Sequence, residues 1–335
     1  MQILKPLLRS TQALGLVAVV TLGSAAAQAA NPAHLEQLLR TNNCPGCDLR
    51  GANLAQARLR QANLAGADLQ GANLAYANLN QANLSNTNLS QANLVGANLR
   101  RINAPAAQLR LANLSNADLS GAILNRAVLD TARLDGANLR GASLRRAYLG
   151  DAVLNSAILI SGDLTRAVLA AASLSGVDLS AANLSGAKLN QAGLDRANLA
   201  GANLNGADLT NAKLALANLA SADVSGASLN QAYLYQTNLT NANLTGVDMR
   251  SAQLNAANLS GATLVGANLE SAILTLARLV NTNFTYANLA YADLQGADLQ
   301  GSNLSNANFS YANLTQANLN NANFTDTNFT ATRFK

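Results

Sequence analysis

From Leu49 to Phe334 every fifth residue of the chain is apolar, without one slip of register: Leu49, Leu54, Leu59 and onward to Leu319, Phe324, Phe329 and Phe334. Of these 58 centres 50 are Leu, and Ala stands two residues before the centre in 47 cases. The centres that are not Leu are Ala104, Val224, Met249, Phe284, Phe309 and the last three Phe. A period of five suits neither regular element: on an α-helix the Leu residues drift around the cylinder, and on a flat strand an odd step alternates faces. A closed coil accommodates it if each five residues form one side, with Ala and Leu inward and the three residues between them turning a corner in water. Gly is frequent at the second position after Leu, as at Gly51 and Gly66, where a turn uses its backbone freedom. An interior of this kind also accounts for a chain that is 49% apolar yet only 4% aromatic, with no Trp.

Asn or Asp commonly sits between Ala and Leu, giving "ANL" and "ADL" in tandem. With these triplets the chain resembles the pentapeptide repeat family, A(D/N)LXX, over residues 45–335. The resemblance implies an all-β solenoid, a right-handed quadrilateral β-helix in which four pentapeptides make one coil, Leu fills the interior and the small residue packs between coils. About 14 coils at ~4.8 Å each would make a rod roughly 70 Å long. Each buried Leu contributes ~1.5–3 kcal/mol, summed over neighbouring coils as in any solenoid.

Residues 1–29 read as a signal peptide: Lys5 and Arg9, an apolar stretch from Ala13 to Leu22, then small residues to Ala30. Cleavage is expected after Ala29, with Ala30 as the alternative, leaving no transmembrane span in the mature chain. Residues 30–44 form a capping segment. Asn31 is a candidate N-cap, Pro32 a first helical residue, and Leu35, Leu38 and Leu39 follow at i, i+3 and i+4. So short a helix needs a partner for its apolar face, and the open end of the β-helix supplies one.

The only two cysteines, Cys44 and Cys47, fall at the start of the repeats, Cys44 on the Leu grid and Cys47 at the Ala position, so both are expected inward. In an oxidising compartment they are expected to form a local disulfide that pins the helix to the first coil. A rival reading is a thiol redox protein acting through the Cys-Pro-Gly-Cys pair, but such a site places its first Cys at a helix N-terminus, whereas here the helix precedes the pair. No metal site is expected, because His34 is the only histidine and no second Cys pair completes four ligands. Nucleophilic catalysis needs a base that dispersed Asp residues and a lone His34 do not provide. The chain thus reads as a non-enzyme with no cofactor.

Residues 20 apart should lie above one another. Val128, Tyr148 and Val168 then form an apolar column, and Ile158 and Ile160 add apolar surface on another face; together they are the candidate partner site. Arg60, Arg100 and Arg140 share a second, basic face, with Arg58, Arg101, Arg145 and Arg146 nearby. Residues 50–146 hold 11 basic and 4 acidic side chains against 8 and 11 in residues 147–335, so the rod is polarised and its basic half suits an acidic protein or membrane surface. At the C-terminal end Phe309, Phe324, Phe329 and Phe334 either plug the last coils or pair with another copy.

The reading is an exported structural or interaction scaffold for an unknown protein or envelope partner. Since exported members of the family are plentiful in cyanobacteria, the resemblance implies a periplasm or thylakoid lumen. The rival class, also implied by the family, is a DNA-mimicking topoisomerase-binding protein. Such mimics carry strongly acidic surfaces, whereas this chain has a formal net charge of +5. No nucleic-acid partner is expected.

Overall fold

The computed structural model describes residues 29–335. The expected signal segment, apart from its last residue, lies outside the described residues. One helix, α1 (Pro32–Thr41), precedes the repeats. Asn31 caps it, its side-chain oxygen accepting the Ala33 N–H at 3.0 Å, and Asn42 ends it in the left-handed conformation, its own N–H donating to Leu38 O. The helix is rolled so that Leu38 is buried in the core and Leu35 packs beside it. Leu39 does not join them: it is 61% exposed, because contact with the first coil is centred on the Leu38 side of the helix.

From residue 43 onward the chain winds as a right-handed quadrilateral β-helix. The residue just before each centre pairs in parallel with the one 20 positions later, from Asn43 with Asn63 to Asn313 with Arg333. Four columns of such residues define four faces: face 1 contains Asn43 and Asn63, face 2 Asp48 and Asp68, face 3 Asn53 and Asn73, and face 4 Arg58 and Asn78. Ala and Leu point inward and form one continuous core from Leu38 to Leu314.

The repeat explains itself once its five backbone N–H groups are traced. In the repeat around Leu54, Leu54 donates to Asn73 O on the next coil, Gln56 to Ala75 O, and Ala57 to Leu54 O across the turn. Asn73 donates back to Ala52 O on the previous coil. The remaining N–H, at the first residue after Leu, is taken by a side chain: Ala55 N donates to Asn53 Oδ1 at 3.3 Å. Asn or Asp in the motif is therefore the acceptor for the one donor that stacking leaves unpaired.

Asn contributes a second bond that Asp cannot, since its amide donates to the same residue of the preceding coil. Asn63, Asn83 and Asn103 each donate to the residue 20 before, and Asn288, Asn308 and Asn328 do likewise. Where an Asp belongs to such a ladder it only accepts, as Asp68 does from Asn88 and Asp178 from Asn198.

The second residue after each centre has positive φ throughout, from Gly46 to Ala331. Most of these positions are not Gly, and even β-branched Thr131 sits there at φ 57°. The closing of each coil imposes the left-handed conformation on whatever residue is present.

Candidate functional site

The junction of helix and repeats is tied at several points. Cys44 and Cys47 form a disulfide, both buried, and Cys44 Sγ lies 3.2 Å from His34 O. The His34 ring faces the first repeat, its Nδ1 accepting the Asp48 N–H at 3.0 Å. Asn42 Nδ2 donates to Arg60 O, tying the cap to the end of the first coil. The Arg50 guanidinium grips Asp48 through two bonds of 2.8 and 2.7 Å and holds that carboxyl at a pKa of about 2. Arg250 lowers the pKa of Asp248 in the same way. Buried sulfurs under a helix form a staple and are poorly placed for thiol exchange, which needs an attacking thiolate to reach them.

The bridges stack Val128, Tyr148 and Val168 on face 2. Tyr148 is 49% exposed and the two Val are half-buried. None of the three can accept a hydrogen bond as Asn does, and at Gly150 an Asp on the previous coil takes over: Gly150 N donates to Asp130 Oδ1 at 3.1 Å. Asn125, Asn155 and Asp195 make the same replacement for Arg145, Ser175 and Ala215. Ile158 lies on face 4, on the other side of the coil, and Ile160 at the corner between faces 4 and 1. The fold thus assembles the three-residue column and does not bring the two Ile to it.

Arg60, Arg100 and Arg140 are exposed along the corner between faces 4 and 1, two coils apart, and Arg100 lies 3.8 Å from Asp118. Sequence reasoning missed a tighter array. Arg126, Arg146 and Arg166 occupy one corner position on three successive coils, between faces 1 and 2, with Arg145 beside them. The 20-residue spacing was the signal that could have found it. At the C-terminal end Phe309 is buried, whereas Phe324 and Phe334 are 42% and 46% exposed and both touch the Phe329 ring edge-on.

Among the described residues, no group of three or more His, Cys, Asp and Glu could hold a metal, and no helix is long and apolar enough to cross a membrane.

The family model described as "Pentapeptide repeats (8 copies)" matches residues 43–103 and 112–335 in overlapping segments. No curated protein matches the chain. Among solved structures, HetL, a pentapeptide repeat protein involved in heterocyst differentiation regulation in the cyanobacterium Nostoc sp. strain PCC 7120, is 33% identical. That match covers 68% of this chain and 87% of HetL, with a TM-score of 0.35. A pentapeptide repeat protein of the Arabidopsis thaliana thylakoid lumen is 31% identical over 37% of this chain and 66% of its own, with a TM-score of 0.22. Full-length QnrB1, a plasmid-mediated fluoroquinolone resistance protein, is 18% identical over 59% of this chain and 91% of its own, with a TM-score of 0.27. Proteins built on this repeat are generally structural or binding proteins. The motif, its coil of four and the match along almost all of the repeat region place this chain in the pentapeptide repeat family.

Proposed function

We propose that the mature chain is an exported, non-enzymatic rod that presents its faces to a protein partner in a periplasm or thylakoid lumen. The observation that carries this reading is the column Val128, Tyr148, Val168. It sets a half-exposed aromatic and two apolar side chains on successive coils, at a position where the repeat commonly places a hydrogen-bonding Asn or Asp. An aromatic anchor beside apolar neighbours on a rigid backbone is the form of a binding hot spot. The N-terminal signal pattern supports export, and the buried disulfide fits an oxidising compartment.

Co-purification tests it, using the tagged full chain and a Tyr148→Arg copy expressed in the native cell and recovered from the envelope and soluble fractions. A partner retained by the native chain and lost by the variant supports a binding rod with its site on face 2. A partner retained equally by both removes the column from the reading, and recovery of the native chain only from the cytoplasm removes export.

A further inference from the structure

The corner between faces 1 and 2 is hollowed into a furrow of about 980 Å3 that runs along the stack from Asn86 to Gly206. Six coil steps at ~4.8 Å make it about 29 Å long. Four guanidinium groups, of Arg126, Arg145, Arg146 and Arg166, line its middle, and no carboxylate lines it. Arg145 has a partner, Asp163, at 3.5 Å. The other three form no ion pair among the described residues. The floor continues past them because the next two coils carry glycine at the same position. A Cβ on Gly186 would lie 3.4 Å from Arg166 Cγ, so Arg166 leans along the corner over that glycine, and Gly206 extends the channel.

We propose that this furrow binds an acidic, extended segment of a partner polypeptide. The inference rests on the reading of the rod as a protein-binding module and names the partner's chemistry at a second place on it. Three unpaired guanidinium groups one coil apart call for a row of carboxylates, which Arg receives in a planar, two-pronged fit. A length of about 29 Å accommodates about nine extended residues at ~3.3 Å each. Asn125, Thr165 and Ser185 along the walls offer hydrogen-bonding groups to a peptide backbone. No aromatic side chain lines the furrow, so it lacks the stacking platform on which single-stranded nucleic acids rest. A concave corner also does not meet a flat lipid surface.

The test is fluorescence anisotropy of a fluorescein-labelled decaglutamate peptide with the full chain at low salt. It compares the native protein, R126Q/R146Q/R166Q, and R60Q/R100Q/R140Q, which carries the same charge change on another corner; matching circular dichroism and melting verify that all three are folded. Binding about tenfold weaker in the furrow variant, and near native in the other, is the expected result. Equal weakening in both variants, or no binding by the native chain, overturns the proposal. So does polygalacturonate displacing the peptide at lower charge concentration than free polyglutamate, which would assign the furrow to an acidic glycan. Loss of the co-purified partner with Tyr148→Arg but not with the furrow variant would leave the protein-binding reading standing while removing its acidic segment.

Discussion

At the scale of single residues the interior is governed by volume. Ala104 is the one centre reduced to a methyl group, and Ile102, at the position otherwise held by a small residue, is buried beside it. The large and small roles are exchanged within one repeat, so the coil stays filled. Ala104→Leu alone should overpack the coil and cost about 1–3 kcal/mol of local stability. The pair I102A/A104L should recover most of that loss, a coupling that a double-mutant cycle on amide exchange of the neighbouring coils will read. Additive losses would show that the two sites are independent.

Asp48 offers a residue-scale prediction with a sign. Its carboxyl is held at about 2 against a usual 3.8, chiefly by the hydrogen bonds from Arg50. A carboxylate with a depressed pKa contributes stability that is fully present above pH ~4 and lost as pH falls through about 2. Arg50→Gln should move the Asp48 midpoint up toward 3.8, as followed by its side-chain carboxyl signal in an NMR titration. An unmoved midpoint would put the cause elsewhere.

At the scale of elements, α1 is a lid made from one buried residue and a set of polar ties. Leu38 supplies the apolar contact, His34 Nδ1 accepts from Asp48, and the disulfide closes a loop of three residue steps. Leu38→Ala should cost about 2–5 kcal/mol, confined to the cap and first coil. Reducing the disulfide should cost about 2 kcal/mol or less, because so short a loop restrains the unfolded chain weakly. Amide exchange resolved along the chain distinguishes these local losses from global unfolding. In a solenoid, where each coil touches only its neighbours, coils beyond residue 100 should keep native protection in both variants.

At the scale of the whole molecule, the closed coil was legible because a period of five admits so few solutions, while its four sides and right hand came with the family resemblance. The inward positions, the turn and the parallel stacking all follow from the Leu and Ala grid. Cys44 and Cys47 could be placed inward for the same reason. Leu39 could not be placed correctly, since helical spacing defines a face broader than the one contact that docking selects. The outer surface was harder, because a residue's importance there depends on neighbours 20 positions away. Arg126, Arg146 and Arg166 are plain as a column and inconspicuous along the chain. The replacement of Tyr148 and Ser143 as acceptors by Asp130 and Asn125 also crosses between coils. The family match skips residues 104–111, beginning where the Ile102 and Ala104 exchange departs from the motif while the coil continues unbroken.

The asparagine ladders have a consequence for the rod as an electrical object. Of the backbone hydrogen bonds between coils, two N–H groups per repeat point toward the C-terminal end, as those of Leu54 and Gln56 do, for each one that points back, as that of Asn73 does. Every Asn-to-Asn bond runs one way, the amide N–H toward the N-terminal end and its carbonyl oxygen toward the C-terminal end. Within a ladder the aligned side-chain amides sum as peptide groups do in a helix, positive toward the N-terminal end and opposite to the backbone excess. Asp68, Asp178, Asp293 and Asp298 each stand at that end of a ladder, where a negative charge is favoured. A molecule that looks like a uniform repeat thus has a head and a tail, and a partner lying along it can sense which way it points.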